Sequence, residues 1–100
     1  MKHYAVIAWD APGSAPARDA ARAAHFARIE RIMDVLAIAG PMKDEAGAFT
    51  GSLVIVRAED EAAARAVLEA DPYYAAGVWD RFEIRQFVPA AGAWIGGRIW

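Results

Sequence analysis

The pattern of hydrophobic and polar positions changes period along the chain, and each change marks a predicted element. Residues 2–9 predict a strand, because the run favours β structure and contains no residue that breaks it. Both alternating faces of this strand are apolar, which is typical of a strand covered on both sides. A layer of helices covers only one side of a sheet, so we expect something else to cover the other.

A long helix is predicted next, over about residues 17–39. Its apolar stripe recurs close to the helical period and consists of His25, Ile29, Ile32 and Leu36. Gly40-Pro41 is predicted to end the helix, because glycine caps helices and proline cannot continue them.

The second half of the chain predicts a hairpin, a helix and a last strand. Residues 38–42 and 52–57 are predicted strands around a polar, glycine-containing loop. Residues 59–70 predict a helix with acidic residues at its N-terminus, ended by Asp71-Pro72. A short aromatic connection then leads into the last predicted strand, residues 81–88, which has one polar face.

The predicted order is β, α, short β, β, α, β, which indicates an α+β domain over residues 1–89. This order is ferredoxin-like, with an antiparallel sheet and two helices on one of its faces. Because the first strand is apolar on both faces, we expect a second subunit on the other face, and therefore a homodimer. Residues 90–100 form a tail that we expect to dock on its own or the partner subunit, since it carries Trp94, Ile95, Ile99 and Trp100.

Composition narrows the class of protein. One hundred residues make one domain, and 57% hydrophobic with 24% charged residues exclude a disordered chain. A net charge of -2 provides no basic surface for a nucleic acid. Cysteine is absent, which excludes disulfides, and no apolar run is long enough to span a bilayer. The N-terminus does not resemble a signal peptide, so we expect a cytoplasmic protein without nucleic-acid or membrane partners.

Three side chains are candidates for chemistry, and each has a structural alternative. His25 is either a general acid or base at the rim of the sheet or a hydrogen-bonded structural histidine. Asp71 either reaches His25 and orients its imidazole or only ends a helix. Arg22, one helical turn before His25, is either a clamp for an anionic oxygen or a solvated arginine.

Two glycine-containing pairs are the remaining site candidates. Gly40-Pro41 and Gly51-Ser52 either serve turn geometry or let the backbone approach a small ligand, with Ser52 supplying a hydroxyl. Four aromatic residues either line a pocket or belong to the core: Trp9, Tyr73, Tyr74 and Trp79. The two histidines are far apart and no cysteine is present, so we expect no metal site.

The same residues, taken in order, resemble a known family. The motifs are Arg22-x-x-His25-Phe26, Gly40-Pro41, Gly51-Ser52-Leu53, Asp71-Pro72-Tyr73 and, in the last strand, Phe82-Glu83-Ile84. In this order and spacing the chain resembles the YCII-related (YciI-like) family over about residues 2–88. The resemblance implies a ferredoxin-like fold, a homodimer of the dimeric α/β-barrel kind, and an active-site histidine and aspartate matched by His25 and Asp71.

The resemblance also implies a class of reaction. One member of the family is a dehydrochlorinase acting on a chlorinated hydroxyquinol, and related dimeric barrels isomerise lactones. We therefore expect a lyase or isomerase without cofactor that uses His25 and Asp71 on a small cyclic or phenolic substrate. The expected substrate-binding residues are Arg22, Gly40, Pro41, Ser52 and Pro72. The alternatives are a non-catalytic module that binds a small molecule or assists another enzyme, and a purely structural domain without a pocket.

Overall fold

The structure is a computed structural model that describes residues 1–99. Trp100, one of the tail residues expected to dock, lies outside the described residues. Within residues 1–99, no helix combines the length and the apolar character needed to cross a membrane.

Four strands form the main antiparallel sheet: β1 (Lys2–Asp10), β2 (Leu36–Lys43), β3 (Phe49–Ala58) and β4 (Trp79–Phe87). Their order across the sheet is β2-β3-β1-β4, so β1 and β3 are central and β2 and β4 are edges. The sequential pair β2–β3 is a hairpin, whereas β1 lies between strands that follow it much later in the chain. This arrangement confirms the predicted ferredoxin-like α+β fold.

Three helices connect these strands: α1 (Ala15–Arg31), α2 (Glu61–Glu69) and the short α3 (Pro72–Ala75). Helix α2 packs on β3, β4 and β1, and α1 packs on α3. The side chain of Asp60 caps the N-terminus of α2, and that of Asp71 caps α3. The helices therefore cover one face of the sheet.

The core lies between that face and the helices. Val6 and Val56, at the centre of the two middle strands, are completely buried. From the helices, Ala64 and Leu68 of α2 complete the same cluster, and small residues of α1 border it. The small size of the α1 residues leaves room under that helix.

The other face of the sheet carries apolar side chains that no helix of the described residues covers. Ile7 of β1 is opposite Leu53 of β3, and Ala5 is opposite Ile55. Leu53 is 37% exposed, whereas Ala5, Ile7 and Ile55 are half-buried. The first strand is thus apolar on both faces as predicted, and its cover by a second subunit stays a prediction.

The predicted helix over residues 17–39 is wrong after residue 31. Helix α1 ends at Arg31, a single 3-10 turn follows at Met33–Val35, and β2 begins at Leu36. The segment 36–43 pairs with β3, with Ile38 opposite Ile55, and this pairing satisfies the backbone groups that face β3. Pro41, expected to stop the helix, instead lies within β2, where it is tolerated because β2 is an edge strand.

The tail forms a small hairpin of its own. Ala91–Gly92 pairs with Gly97–Arg98 around a 3-10 turn at Ala93–Ile95. The Trp94 side chain at this turn is 85% exposed. Docking of the tail on a partner stays a prediction, and Trp94 is available for it.

Candidate active site

A cavity of about 200 Å³ lies between α1, the β2–β3 side of the sheet and the α2–α3 junction. Most of its wall is apolar, from Ile29 and Ile32 on α1 to Val67 and Leu68 on α2. Five of the predicted site residues lie in its wall: His25, Gly40, Pro41, Ser52 and Asp71. Arg22 and Pro72 do not. The cavity therefore brings together most of the candidate residues.

His25 and Asp71 are in direct contact in the wall of this cavity. His25 Nδ1 is 2.8 Å from Asp71 Oδ1 and 2.9 Å from Oδ2. An ionised carboxylate only accepts hydrogen bonds, so Nδ1 carries the proton and donates it. In a neutral imidazole this leaves Nε2 with its lone pair, and no group within residues 1–99 hydrogen-bonds to it. The arrangement fixes the tautomer of His25 and leaves Nε2 as the nitrogen able to accept a proton.

The buried Asp71 carboxylate is held by donors from three places in the chain. Besides His25, Oδ1 accepts a hydrogen bond from the Tyr73 backbone N–H (2.8 Å), and Oδ2 accepts one from Arg28 Nη1 (3.3 Å). The local sequence explains the Tyr73 contact, because Asp71 is the N-cap of α3 and Pro72 is its first residue. These bonds compensate for burying a side chain that is only 2% exposed.

Aromatic rings fix the plane of the imidazole. The Tyr73 ring stacks on it with centroids 3.9 Å apart and an angle of 8° between the planes. Trp79 meets the imidazole edge-on, with centroids 6.4 Å apart. Asp71 caps α3 and Tyr73 lies within it. The same short helix therefore supplies both the carboxylate that hydrogen-bonds His25 and the ring that sets the plane of its imidazole.

The sheet wall of the cavity includes Pro41 and Ser52, which are paired in the β2–β3 ladder. Ser52 is buried, and its hydroxyl makes no hydrogen bond within residues 1–99. A Cβ on Gly51 would lie 2.4 Å from the carbonyl oxygen of Ala8. Gly51 therefore serves the close approach of β1 to β3, and not the approach of a ligand as one hypothesis expected.

Arg22, predicted to clamp an anion, does not line the cavity. Its side chain is half exposed and forms a salt bridge with Asp19, on the outer side of α1. Arg28 does line the cavity, and it follows His25 by three residues where Arg22 precedes it by three. Pro72 begins α3 and only positions its neighbour Asp71.

Sequence reasoning missed two arginines on α1. Arg18 is buried and forms a bidentate salt bridge with Asp10 at 2.8–3.2 Å. Its guanidinium also lies against the rings of Phe49 and Tyr73, 4.9 and 5.0 Å from their centroids. Helical spacing was a signal for Arg18, because it precedes His25 by seven residues, which is two turns along the same face of α1.

Trp79 adds a further polar atom to the region. Its ring lines the cavity, and its Nε1 is buried without a hydrogen-bond partner in the described part of the chain. A buried donor without an acceptor costs stability, which is tolerated at sites built for function more often than elsewhere.

Comparisons with known proteins show the family of this chain. Residues 2–88 match the model of the YCII-related domain. The protein YciI of Escherichia coli O6:H1 is 40% identical over 92 residues, covering 84% of this chain and 94% of YciI. A protein from Haemophilus influenzae is 35% identical over 94 residues, covering 85% and 95% of the two chains.

A solved structure is similar in fold. It is the 5-chloro-2-hydroxyhydroquinone dehydrochlorinase TftG of Burkholderia phenoliruptrix AC1100, in complex with 2,5-dihydroxybenzoquinone. The TM-score is 0.78 at 25% identity, over 91% of this chain and 96% of TftG. The family match covers nearly all of the ferredoxin-like domain, and it confirms the resemblance found in the sequence. The chain belongs to the YCII-related family.

Proposed function

We propose that the protein is a lyase or isomerase that works without a cofactor and moves a proton on a small single-ring substrate. The observation that carries the proposal is the His25–Asp71 contact of 2.8 Å, with Nε2 left without a partner among residues 1–99 in the wall of the cavity. Nε2 takes a proton from the substrate, and Asp71 stabilises the imidazolium that results.

The fate of the electron pair distinguishes the two reaction types. In an elimination, the pair left on the substrate forms a double bond and the leaving group departs with its own bonding electrons. In an isomerisation, His25 returns the same proton to another atom of the ring. Both need one base in a water-poor cavity, which is what the apolar walls around His25 supply.

The similarity to TftG supports a chlorinated phenolic substrate. TftG is named as a dehydrochlorinase of 5-chloro-2-hydroxyhydroquinone, and its complex contains a single-ring quinone. A cavity of about 200 Å³ is of a size for one ring. Loss of chloride with the proton taken by His25 would be an elimination of the kind described above.

The test is turnover of chlorinated hydroxyquinols and of muconolactones, kept anaerobic so that the phenols do not oxidise. We expect chloride release or lactone isomerisation with the wild type. We expect kcat/KM to fall by about 10²–10⁴ in His25→Gln, the usual contribution of a general base. His3→Gln is the matched control, because His3 lies on β1 between Arg57 and Phe87, outside the cavity wall. A wild type without turnover, or equal loss in the two variants, would contradict the proposal.

The same ligands and variants, now used in thermal unfolding, distinguish an enzyme from a non-catalytic binding module. A ligand that raises the melting temperature of wild type and His25→Gln alike, without any turnover, would favour the module. The purely structural domain predicted no pocket and a His25 separated from Asp71, whereas a pocket is present and the two side chains are in contact.

We further propose that the working unit is a homodimer formed through the open face of the sheet. Its support is the apolar patch around Ile7, Leu53 and Ile55, which no helix covers within residues 1–99. Burying such a patch against its own copy is the economical way to remove it from water.

A further inference from the structure

The Arg28 guanidinium is a largely buried cation whose hydrogen-bonding capacity is mostly unused. Its side chain is 14% exposed and lies in the cavity wall with His25. It donates one hydrogen bond, of 3.3 Å, to Asp71 Oδ2, and makes no other within residues 1–99. A guanidinium presents several N–H donors in one plane, so most of them remain available to a ligand in the cavity.

The Asp71 carboxylate is engaged more closely by other donors than by Arg28. Its contacts with His25 and with the Tyr73 N–H are 2.8–2.9 Å, against 3.3 Å for Arg28. When Nε2 takes a proton, His25 becomes a cation that pairs with Asp71. The charge of Arg28 is then free to balance a negative charge on the ligand.

The second arginine of the cavity is not available in this way. Arg18 is buried, and both oxygens of Asp10 accept its hydrogen bonds, which balances its charge. Among the described residues of the cavity wall, Arg28 is therefore the one cation left without a counter-charge once His25 has taken the proton of the substrate and pairs with Asp71. The surrounding walls are apolar, and a charge pair is stronger there than in water.

We propose that Arg28 binds the anionic oxygen of a planar, single-ring ligand, a phenolate or a carboxylate, beside Nε2 of His25. This inference rests on the proposed function, which places the ring of the ligand next to His25. It goes further by specifying the charge of the ligand and the residue that binds that charge. Arg28 contacts the ligand directly, and it also helps to position Asp71.

The test compares anionic and neutral ligands that share the same ring by calorimetric titration. The phenolate pair is 2,5-dihydroxybenzoquinone, whose hydroxyl groups are ionised at neutral pH, and neutral 2,5-dimethoxybenzoquinone. The carboxylate pair is benzoate and benzamide. The proteins are wild type, Arg28→Gln, Arg28→Lys and Arg31→Gln. Arg31 is the matched control, because it lies on the last turn of α1, exposed and outside the cavity wall.

We expect the wild type to prefer the anion in at least one pair, and the preferred pair identifies the oxygen. Arg28→Gln should weaken binding of that anion by about 10- to 100-fold, the effect of losing a charge-assisted hydrogen bond, and leave the neutral ligand nearly unchanged. Arg28→Lys should retain most of the preference, and Arg31→Gln all of it. Arg28→Met serves the same comparison if thermal unfolding shows that Arg28→Gln does not fold.

Two results would overturn the inference: a wild type with no preference for either anion, or an Arg28→Gln variant that loses the anionic and neutral ligands equally. The second result would mean that Arg28 acts only by positioning Asp71. Binding and turnover are measured separately, so the two proposals fail separately. Turnover without charge preference contradicts this inference alone, and charge preference without turnover contradicts the proposed reaction alone.

Discussion

At the scale of single residues, Asp71 links α1 to α3 at the site. One carboxylate accepts hydrogen bonds from His25 and Arg28 on α1 and from the backbone at the start of α3. The sequence predicted Asp71 as a helix terminator and as a partner of His25, and both descriptions fit the structure. It could not predict Arg28 in place of Arg22, because that choice depends on the rotation of α1 about its axis over the cavity.

Asp71→Asn should separate the chemistry of this residue from its role in the fold. Asparagine caps helices about as well as aspartate, so α3 should persist, but the amide does not hold the imidazole in the same tautomer. We expect kcat/KM to fall by about 10²–10⁴, as in hydrolases that lose the orienting carboxylate. The measurement is steady-state kinetics, with circular dichroism to verify the fold.

Asp60→Asn is the control for this prediction. Asp60 caps α2 by accepting a hydrogen bond from the Ala63 N–H at 2.8 Å, and it lies outside the cavity wall. Both variants keep a cap, so equal activity in the two would show that the carboxylate of Asp71 has no part in the reaction.

The buried pair of Arg18 and Asp10 makes a prediction about stability. Both side chains are about nine-tenths buried, and removing one partner leaves the other charge without compensation. We expect Arg18→Met to lower the free energy of unfolding by about 3–5 kcal/mol, measured by urea denaturation. Arg22→Met, at an exposed surface pair on the same helix, should change it by less than about 1 kcal/mol. Similar decreases in the free energy of unfolding in the two variants would mean that the buried pair contributes no more to stability than the exposed pair.

At the scale of elements, the sequence predicted the order of the main helices and strands, but it missed the short α3 and the tail hairpin and placed the end of α1 too late. Ile29, Ile32 and Leu36 recur at helical spacing, so the local pattern favours a helix that continues past residue 32. Residues 36–43 form a strand instead, because they pair with β3. This pairing partner is distant in the chain, so the local spacing of apolar residues does not reveal it. The cavity depends on the early end of α1, because residues 36–41 then belong to β2 and form part of the cavity wall.

Two glycines of the β2–β3 hairpin test how closely the strands pack. Gly51→Ala places a Cβ against the backbone oxygen of Ala8, and backbone cannot move aside as a flexible side chain does. We expect it to lower the free energy of unfolding by at least about 1–3 kcal/mol, measured by thermal and urea unfolding. Gly40→Ala is the control, because a Cβ added at Gly40 would meet no atom of the described residues within 4 Å. An unchanged stability in Gly51→Ala would show that β1 and β3 have room to separate.

At the scale of the whole molecule, the open face of the sheet predicts self-association. Leu53→Glu places a charge in the middle of the apolar patch, where burial in an interface would cost it its hydration. We expect this variant to shift sedimentation equilibrium towards the monomer of 10.8 kDa. Met33→Glu is the control, since Met33 is exposed after the end of α1 and is not on the sheet. A wild type that is monomeric at all concentrations would reject the dimer.

The tail is a second surface, besides the open face of the sheet, through which two copies of the chain could associate. Its hairpin is closed by its own hydrogen bonds, including Ile99 N–H to the Ala90 carbonyl at 2.9 Å, while Trp94 stays 85% exposed. Deleting residues 92–100 should therefore leave the domain folded, with a melting temperature close to that of the full chain at concentrations where both are monomeric. If Trp94 docks on the partner, the deletion and Trp94→Ala both weaken the dimer in sedimentation equilibrium, and combining either with Leu53→Glu weakens it further.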